Sequence, residues 1–169
     1  MLCRGVESLP MGDWKIIEAG SEMEIATARE LFLEYGNSLG FDLCFQAFDE
    51  ELATLPGAYA PSEGRLLLAL GEAGWLGCVA LRPRPLIDAR VCEMKRLYVR
   101  PAARGTGLGR ELASSVIQAA KSIGYQRMVL DTLATMQAAM GLYRSLGFRE
   151  TSAYYANPIP EARYFVLEL

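Results

Sequence analysis

The stretch Glu93-Met-Lys-Arg-Leu-Tyr-Val-Arg-Pro-Ala-Ala-Arg-Gly-Thr-Gly-Leu-Gly-Arg110 decides the fold. Its first part is typical of a strand that ends near Val99, and Pro101 helps to end it because proline lacks a backbone N–H. Alternating glycines from Gly105 to Gly109 then form a turn that opens directly into a helix. The stretch therefore predicts a strand–turn–helix unit.

Sequence patterns on both sides of this unit predict the other elements. Short apolar runs bounded by turn residues predict strands, and apolar residues at helical spacing predict helices. The predicted strands cover residues 14–18, 65–70, 75–81, 90–99, 128–130, 148–155 and 162–169. The predicted helices run from a capping box at Ser21 to about Asn37, over 45–55, from Leu108 to Ile123, and from a Thr135 cap to Gly147.

This order of elements predicts one α/β domain over residues 13–169, preceded by a flexible tail over residues 1–12. The length of 169 residues and the 51% hydrophobic content suit a single domain with a substantial core. Antiparallel hairpins are combined with one strand–helix–strand crossover, so we expect a mixed, mostly antiparallel sheet of about seven strands with about four helices.

Composition and charge exclude several classes of function. A net charge of −3 argues against a nucleic-acid partner, because proteins that bind nucleic acids concentrate positive charge. The chain has no histidine, which excludes the common zinc sites and any Ser-His-Asp or Cys-His mechanism, so we expect no metal. No apolar run approaches the roughly 20 residues that span a bilayer, and the start lacks the apolar stretch of a signal peptide. We therefore expect a cytoplasmic protein with no membrane partner.

The glycine-rich turn is suited to an anion. A helix start presents unpaired N–H groups and the positive end of the helix dipole, and glycines let a phosphate approach the backbone. Arg104 and Arg110 add positive charge beside it. A tight turn with surface arginines is the alternative. The turn lacks the Gly-Lys-Ser/Thr ending of a P-loop and the Gly-x-Gly-x-x-Gly spacing of a dinucleotide site.

Two motifs resemble those of the GNAT superfamily of acetyl-CoA-dependent N-acetyltransferases. Arg104-Gly-Thr-Gly-Leu-Gly109 fits its Arg/Gln-x-x-Gly-x-Gly/Ala signature, and Ala138-Ala-Met-Gly-Leu-Tyr-Arg-Ser-Leu-Gly-Phe148 is similar to its second motif. The ending Tyr154-Tyr-Ala-Asn-Pro-Ile-Pro160 looks like that of a bacterial subgroup. The resemblance implies a sheet with a central splay, acetyl-CoA as co-substrate, and an enzyme that acetylates an amine. It also allows a homodimer paired through sheets or C-terminal strands.

The resemblance implies roles for named residues. The backbone around Leu97 and Val99 would pair with the pantetheine arm, the turn would hold the pyrophosphate, and Tyr143 would lie near the thioester sulfur. The residues that it assigns to the cofactor are Leu97, Tyr98, Val99, Arg104, Gly105, Thr106, Gly107, Leu108, Gly109 and Arg110. The motif often has asparagine where this chain has Met136, so a contact there is absent or comes from elsewhere, for example from Thr135.

Acetyl transfer needs a base for the amine and an acid for the departing thiolate. Tyr143 is the candidate acid, although an aromatic residue packed with its apolar neighbours is the alternative. Glu93 is the candidate base, and strand alternation places its side chain on one face with Lys95 and Leu97. A strand glutamate paired with a cation, with ordered water as the base, is the other interpretation.

The acceptor site is expected between the first two helices and the final hairpin. Candidate substrate-binding residues there are Tyr35, Tyr154 and Asn157, although core packing would use the same aromatic types. The preferred function is acetylation of a small-molecule amine or amino acid. Acetylation of a protein or peptide, and acetyl-CoA binding without catalysis, are the alternatives.

Overall fold

A computed structural model describes residues 12–169, and nearly all of the tail predicted over residues 1–12 lies outside the described residues. Within this range the chain forms one mixed sheet in the order β1-β2-β3-β4-β5-β7-β6. The strands are β1 (Trp14–Glu18), β2 (Arg65–Gly71), β3 (Gly74–Pro83), β4 (Val91–Val99), β5 (Arg127–Leu133), β6 (Arg149–Thr151) and β7 (Ala162–Glu168). All neighbouring strands are antiparallel except β4 and β5, which confirms the predicted mixed sheet with one crossover.

Helices cover both faces of the sheet. The α-helices are α1 (Glu22–Ser38), α2 (Phe48–Thr54), α3 (Leu108–Ile123) and α4 (Gln137–Ser145). One apolar cluster joins α3 and α4 to the sheet, and a second joins α1 and α2 to the opposite face. Leu108, Leu112 and Val116 recur at helical spacing and are fully buried, which fixes the face of α3 that packs on the sheet. No described helix is both long and apolar enough to cross a bilayer.

The ends of the helices test the predicted caps. The capping box of α1 is confirmed, because the Glu24 N–H donates to Ser21 Oγ and the Ser21 N–H donates to Glu24 Oε2. Gly124 ends α3 with a φ of 106°, as its position predicts. The predicted Thr135 cap is wrong: the cap position of α4 is Met136, and no side chain of the described residues caps that end.

A β-bulge interrupts β4 and changes which side chains share a face. Arg96 adopts a φ of 57°, and the pairing of β3 with β4 shifts register between Cys78 and Ala80. Leu97 consequently packs in the α3 cluster, while Lys95 and Arg96 both reach Gln46 on the opposite side. The prediction that Glu93, Lys95 and Leu97 share one face is wrong, because the extra residue breaks the two-residue alternation.

The sheet opens between β4 and β5. β4 pairs with β5 only over Val91–Glu93, so the remainder of β4 has no β5 partner and a splay results. This confirms the central splay that the family resemblance implies. The strand predicted over residues 148–155 is wrong beyond Thr151, because Tyr154 and Tyr155 turn towards the sheet and their hydroxyls bond to side chains there.

Candidate active site

A cleft of about 470 Å³ lies in the splay between β4 and β5. At one end it is lined by the glycine-rich turn and the start of α3, and at the other end by α1, the loop after it and the loop before β7. Tyr143 of α4 lines the cleft as well. The cleft therefore brings the two sequence motifs together with the predicted acceptor region.

The glycine-rich turn forms an anion-binding cradle. Gly105 and Gly107 have φ angles of 75° and 93°, which side-chain-bearing residues rarely adopt. A Cβ at either position would meet no atom within 4 Å, so the space above the backbone is open. Gly107 is also the N-cap residue of α3, and no side chain of the described residues caps the free N–H groups there. These N–H groups are available to a pyrophosphate.

Two arginines flank this cradle and line the cleft. Arg104 donates from Nε to the Val99 carbonyl at 2.9 Å, which holds its stem against the end of β4. Arg110 donates to Ser145 Oγ at 2.7 Å. Both side chains are exposed, so their charges can meet phosphate groups with little further desolvation. Their placement agrees with the predicted cofactor role.

The backbone of Val99 faces the open side of β4. The Arg100 N–H donates to the Leu76 carbonyl at 2.8 Å, so Arg100 faces β3. Alternate residues of an antiparallel ladder point in opposite directions, and the N–H and C=O of Val99 consequently point away from β3 into the splay. Leu97, Val99 and Gly109 all line the cleft. The Val99 carbonyl already accepts a hydrogen bond from Arg104, so the Val99 N–H is the group that an extended pantetheine arm can pair with.

Three predicted cofactor residues contribute no side chain to the cleft. The Tyr98 ring is buried on the α1 side, 6.3 Å from the Tyr35 ring centre. Leu108 is fully buried in the core. The Thr106 hydroxyl donates to the Ala103 carbonyl and thereby tightens the turn. Only the backbone groups of these residues are candidates for cofactor contact.

Tyr143 is both a packing residue and a residue of the cleft. Its ring packs edge-on against Phe148 and lies 6.1 Å from the ring centre of Phe165. Burial raises the pKa of its hydroxyl, and the nearby phenol of Tyr35 and carboxylate of Asp131 raise it further. The raised pKa keeps the hydroxyl protonated at neutral pH, and it also makes this phenol a weaker proton donor than a free tyrosine.

Glu93 lies outside the cleft and is occupied by other groups. Its side chain is 1% exposed, and Oε2 accepts a 2.7 Å hydrogen bond from Arg82 Nε and forms an ion pair with Arg82 Nη2 at 2.7 Å. Oε1 accepts a hydrogen bond from the Tyr154 hydroxyl at 2.7 Å. This arrangement matches the alternative of a strand glutamate paired with a cation, and it does not favour Glu93 as the base. It also places Tyr154 away from the cleft, although Tyr154 was a candidate for substrate binding.

A polar network that the sequence analysis did not predict lies at the inner end of the cleft, which is the end opposite the glycine-rich turn. Its members are Gln46, Glu51, Lys95, Arg96, Asp131 and Tyr155. Lys95 pairs with Asp131 at 2.9 Å, and Arg96 forms two hydrogen bonds with Glu51. Burial acts to raise the pKa of Asp131, but the Lys95 charge and the Tyr155 hydrogen bond outweigh it and hold the pKa below its usual value.

Tyr35 and Asn157 lie where the acceptor was predicted. Tyr35 lines the cleft with the Arg96 guanidinium 5.8 Å from its ring centre. Asn157 lines the cleft and donates to the Tyr155 hydroxyl at 2.8 Å. Met136 lines the cleft where the second motif often has asparagine, while Thr135 is exposed and does not line it.

One feature of the sequence could have indicated the polar network. Lys95 and Arg96 are adjacent in an apolar strand, and buried charges need partners.

Comparisons with known proteins agree with this geometry. The model of the acetyltransferase (GNAT) family matches residues 26–148. An uncharacterized N-acetyltransferase of Schizosaccharomyces pombe is 48% identical over 140 residues, covering 82% of this chain and 85% of the relative. The uncharacterized N-acetyltransferase YjgM of Escherichia coli is 30% identical over 120 residues, covering 71% of each chain. The likeness thus extends to a yeast as well as to bacteria.

Solved structures share the fold. An acetyltransferase from Streptococcus agalactiae has a TM-score of 0.76 at 23% identity, covering 92% of this chain and 98% of its own. The acetyltransferase yncA of Salmonella typhimurium, solved with its cofactor acetyl-CoA, has a TM-score of 0.69 at 22% identity, covering 93% and 94%. With the family match and the close yeast relative, these likenesses place the chain in the acetyltransferase (GNAT) family, and it is an N-acetyltransferase.

Proposed function

We propose that this enzyme transfers the acetyl group of acetyl-CoA to the primary amine of a small molecule or amino acid. The observation that carries the proposal is the single cleft that connects the uncapped start of α3 with Tyr143 and the polar network. A related fold that holds acetyl-CoA, in yncA, supports acetyl-CoA as the donor. The cleft would hold the donor at the glycine-rich turn and the acceptor at the opposite end.

The residues of this chain supply groups for each charge that develops. The amine attacks the thioester carbonyl, the carbonyl oxygen becomes negative, and the Val99 N–H, which points into the splay, donates a hydrogen bond to it. The C–S bond then breaks as the tetrahedral intermediate collapses. Tyr143 gives its hydroxyl proton to the departing thiolate.

The base in this proposal is water. Glu93 is held by Arg82 and Tyr154 outside the cleft, so it has no open path to an acceptor amine. Asp131 lines the cleft, but its two carboxylate oxygens already accept hydrogen bonds from Lys95 and Tyr155. Water molecules in the cleft can relay the proton from the amine to solvent.

The first test is release of free CoA thiol from acetyl-CoA with separate pools of amino acids, polyamines, amino sugars and short peptides. Release with a metabolite pool that is lost in Tyr143→Phe would support the proposal. Release with peptides alone would favour a protein or peptide acceptor. Binding of acetyl-CoA without release in any pool would favour a binding module over a catalyst.

A further inference from the structure

Two buried cations point at one neutral oxygen at the inner end of the cleft. Lys95 Nζ lies 3.2 Å and Arg96 Nη1 lies 3.0 Å from Oε1 of Gln46. The side chains of Lys95 and Arg96 are 5% and 2% exposed, so these N–H groups are largely removed from water. An amide oxygen is a weaker partner for a cation than a carboxylate, whose charge-assisted hydrogen bonds are roughly twice as strong.

The cleft itself is basic. Among the described residues that line it, the charged side chains are Lys95, Arg96, Arg104, Arg110 and Asp131, four basic and one acidic. Arg104 and Arg110 flank the cradle, where phosphates of the donor would balance them. Lys95 and Arg96 face only Asp131 within the cleft, because Glu51 lies behind Arg96 and does not line it.

Lys95 and Arg96 also have N–H groups that are not used by their present hydrogen bonds. Lys95 has three N–H donors, and hydrogen bonds to Gln46 and Asp131 occupy two of them. Arg96 directs Nε and Nη2 at Glu51 and Nη1 at Gln46, which leaves one further N–H on each of Nη1 and Nη2. Glu51 fixes the guanidinium plane, so Arg96 is already oriented to donate hydrogen bonds to a planar carboxylate.

We propose that the acceptor is an amino acid whose carboxylate is bound by Lys95 and Arg96 at this end of the cleft. The inference rests on the proposed function and narrows its acceptor. The carboxylate accepts hydrogen bonds from Lys95 and Arg96, and it either replaces Gln46 Oε1 as their acceptor or binds beside it. An amino acid enters as a zwitterion and leaves the total charge of the polar network unchanged, whereas a simple acid would add a negative charge.

Sets of matched acceptor compounds isolate the effect of the carboxylate on turnover from that of the rest of the molecule. Each set contains an amino acid, its carboxamide and its decarboxylated amine: L-leucine, L-leucinamide and 3-methylbutylamine, with corresponding sets for L-phenylalanine and L-methionine. The amide has a less basic amine than the amino acid and the decarboxylated compound a more basic one. A preference for the amino acid over both therefore cannot arise from amine basicity.

The expected result is a kcat/KM for the amino acid at least about tenfold above both analogues in the set that reacts best. Lys95→Met should remove most of this preference by lowering kcat/KM for the amino acid alone. The double variant Lys95→Met/Asp131→Asn removes both charges of the pair and guards against an unfolded single variant. Lys15→Met, which removes an exposed lysine on β1, should leave the preference unchanged.

Thiol release and binding together distinguish the two proposals. Equal or better turnover of the decarboxylated amines, or a preference that survives both variants, overturns the carboxylate site and leaves the acetyltransferase proposal standing. If no set releases thiol, calorimetric titration of each compound into the CoA-saturated protein decides. Tighter binding of the amino acids would then support the carboxylate site while the proposed function fails, and absence of that binding overturns the site.

Discussion

The Tyr154 hydroxyl donates a 2.7 Å hydrogen bond to Oε1 of Glu93, and this bond ties the loop before β7 to the centre of the sheet. Arg84 lies over the Tyr154 ring, with its guanidinium carbon 5.4 Å from the ring centre. The same loop carries Asn157 into the cleft. Glu93 thus anchors, through Tyr154, the loop that carries Asn157 into the cleft.

Glu93→Gln should weaken acceptor binding without changing the pH dependence of catalysis. The variant removes the charge that pairs with Arg82, so we expect a loss of stability of about 2 kcal/mol and a higher KM for the acceptor. The KM for acetyl-CoA should not change, because the cradle is remote from Glu93. The measurement is a pH–rate profile with both KM values; Glu161→Gln, at an exposed site, is the control. Loss of the low-pH limb of the profile, where a general base becomes protonated, would restore Glu93 as the base.

Tyr143→Phe should slow catalysis and preserve the fold. The ring still packs against Phe148, but the proton for the thiolate is lost, so kcat should fall about 100-fold. The Kd for CoA should change little. Tyr125→Phe is a matched control, because that hydroxyl is bonded to the Glu63 carbonyl and its ring does not line the cleft. An unaltered kcat in Tyr143→Phe would refute the role as acid.

Gly107→Ala should weaken CoA binding beyond its effect on stability. A side chain at φ 93° costs about 1 kcal/mol, and the new methyl group enters the open space above the cradle. Gly124→Ala imposes similar strain, at φ 106°, on the other end of α3. Both variants should unfold at lower urea concentrations, but only Gly107→Ala should raise the Kd for CoA in calorimetry. Equal Kd values would show that the cradle does not bind the cofactor.

Glu51→Gln should destabilise the protein at neutral pH by about 3 kcal/mol, because it leaves Arg96 buried without a counter-charge. Burial acts to raise the pKa of Glu51, but the hydrogen bonds and charge of Arg96 outweigh it and lower the pKa. A lowered folded-state pKa means that the pair contributes its stability above the unfolded value of about 4.3 and loses it as pH falls through the folded value.

Urea unfolding at pH 7 and at pH 3 tests this sign. The difference between the wild-type protein and Glu51→Gln should shrink at the lower pH, where the wild-type carboxylate becomes protonated. Glu50→Gln changes an exposed neighbour on the same helix and should leave stability within about 0.5 kcal/mol at both pH values. A difference that stays constant with pH would mean that the Arg96 pair does not contribute through charge.

The sequence predicted local features better than long-range contacts. The capping box at Ser21 and the glycine-rich turn depend on residues a few positions apart, so their patterns are readable in the chain. The pairing of Lys95 with Asp131 joins residues 36 positions apart and depends on the final sheet order. No local pattern specifies such a pair, although a buried lysine does require some partner.

The bulge at Arg96 shows the same limit. Arginine has no preference for a positive φ, so the residue type gives no sign that the strand alternation will slip there. The slip reversed the expected face of Leu97, so that Leu97 no longer shares a face with Glu93. The strand predicted through Tyr155 failed for a related reason, because distant partners for Tyr154 and Tyr155 outweigh the β-propensity of the segment.

The bulge also divides one strand into two kinds of recognition surface. Beyond it, β4 offers main-chain atoms at Val99, which are the same whatever side chain the residue carries. At and before it, the strand offers the side chains of Arg96 and Lys95, which differ with every substitution. Under the proposed carboxylate site, replacements at these two positions, in nature or by engineering, would change acceptor preference and leave the main-chain contact for the donor in place.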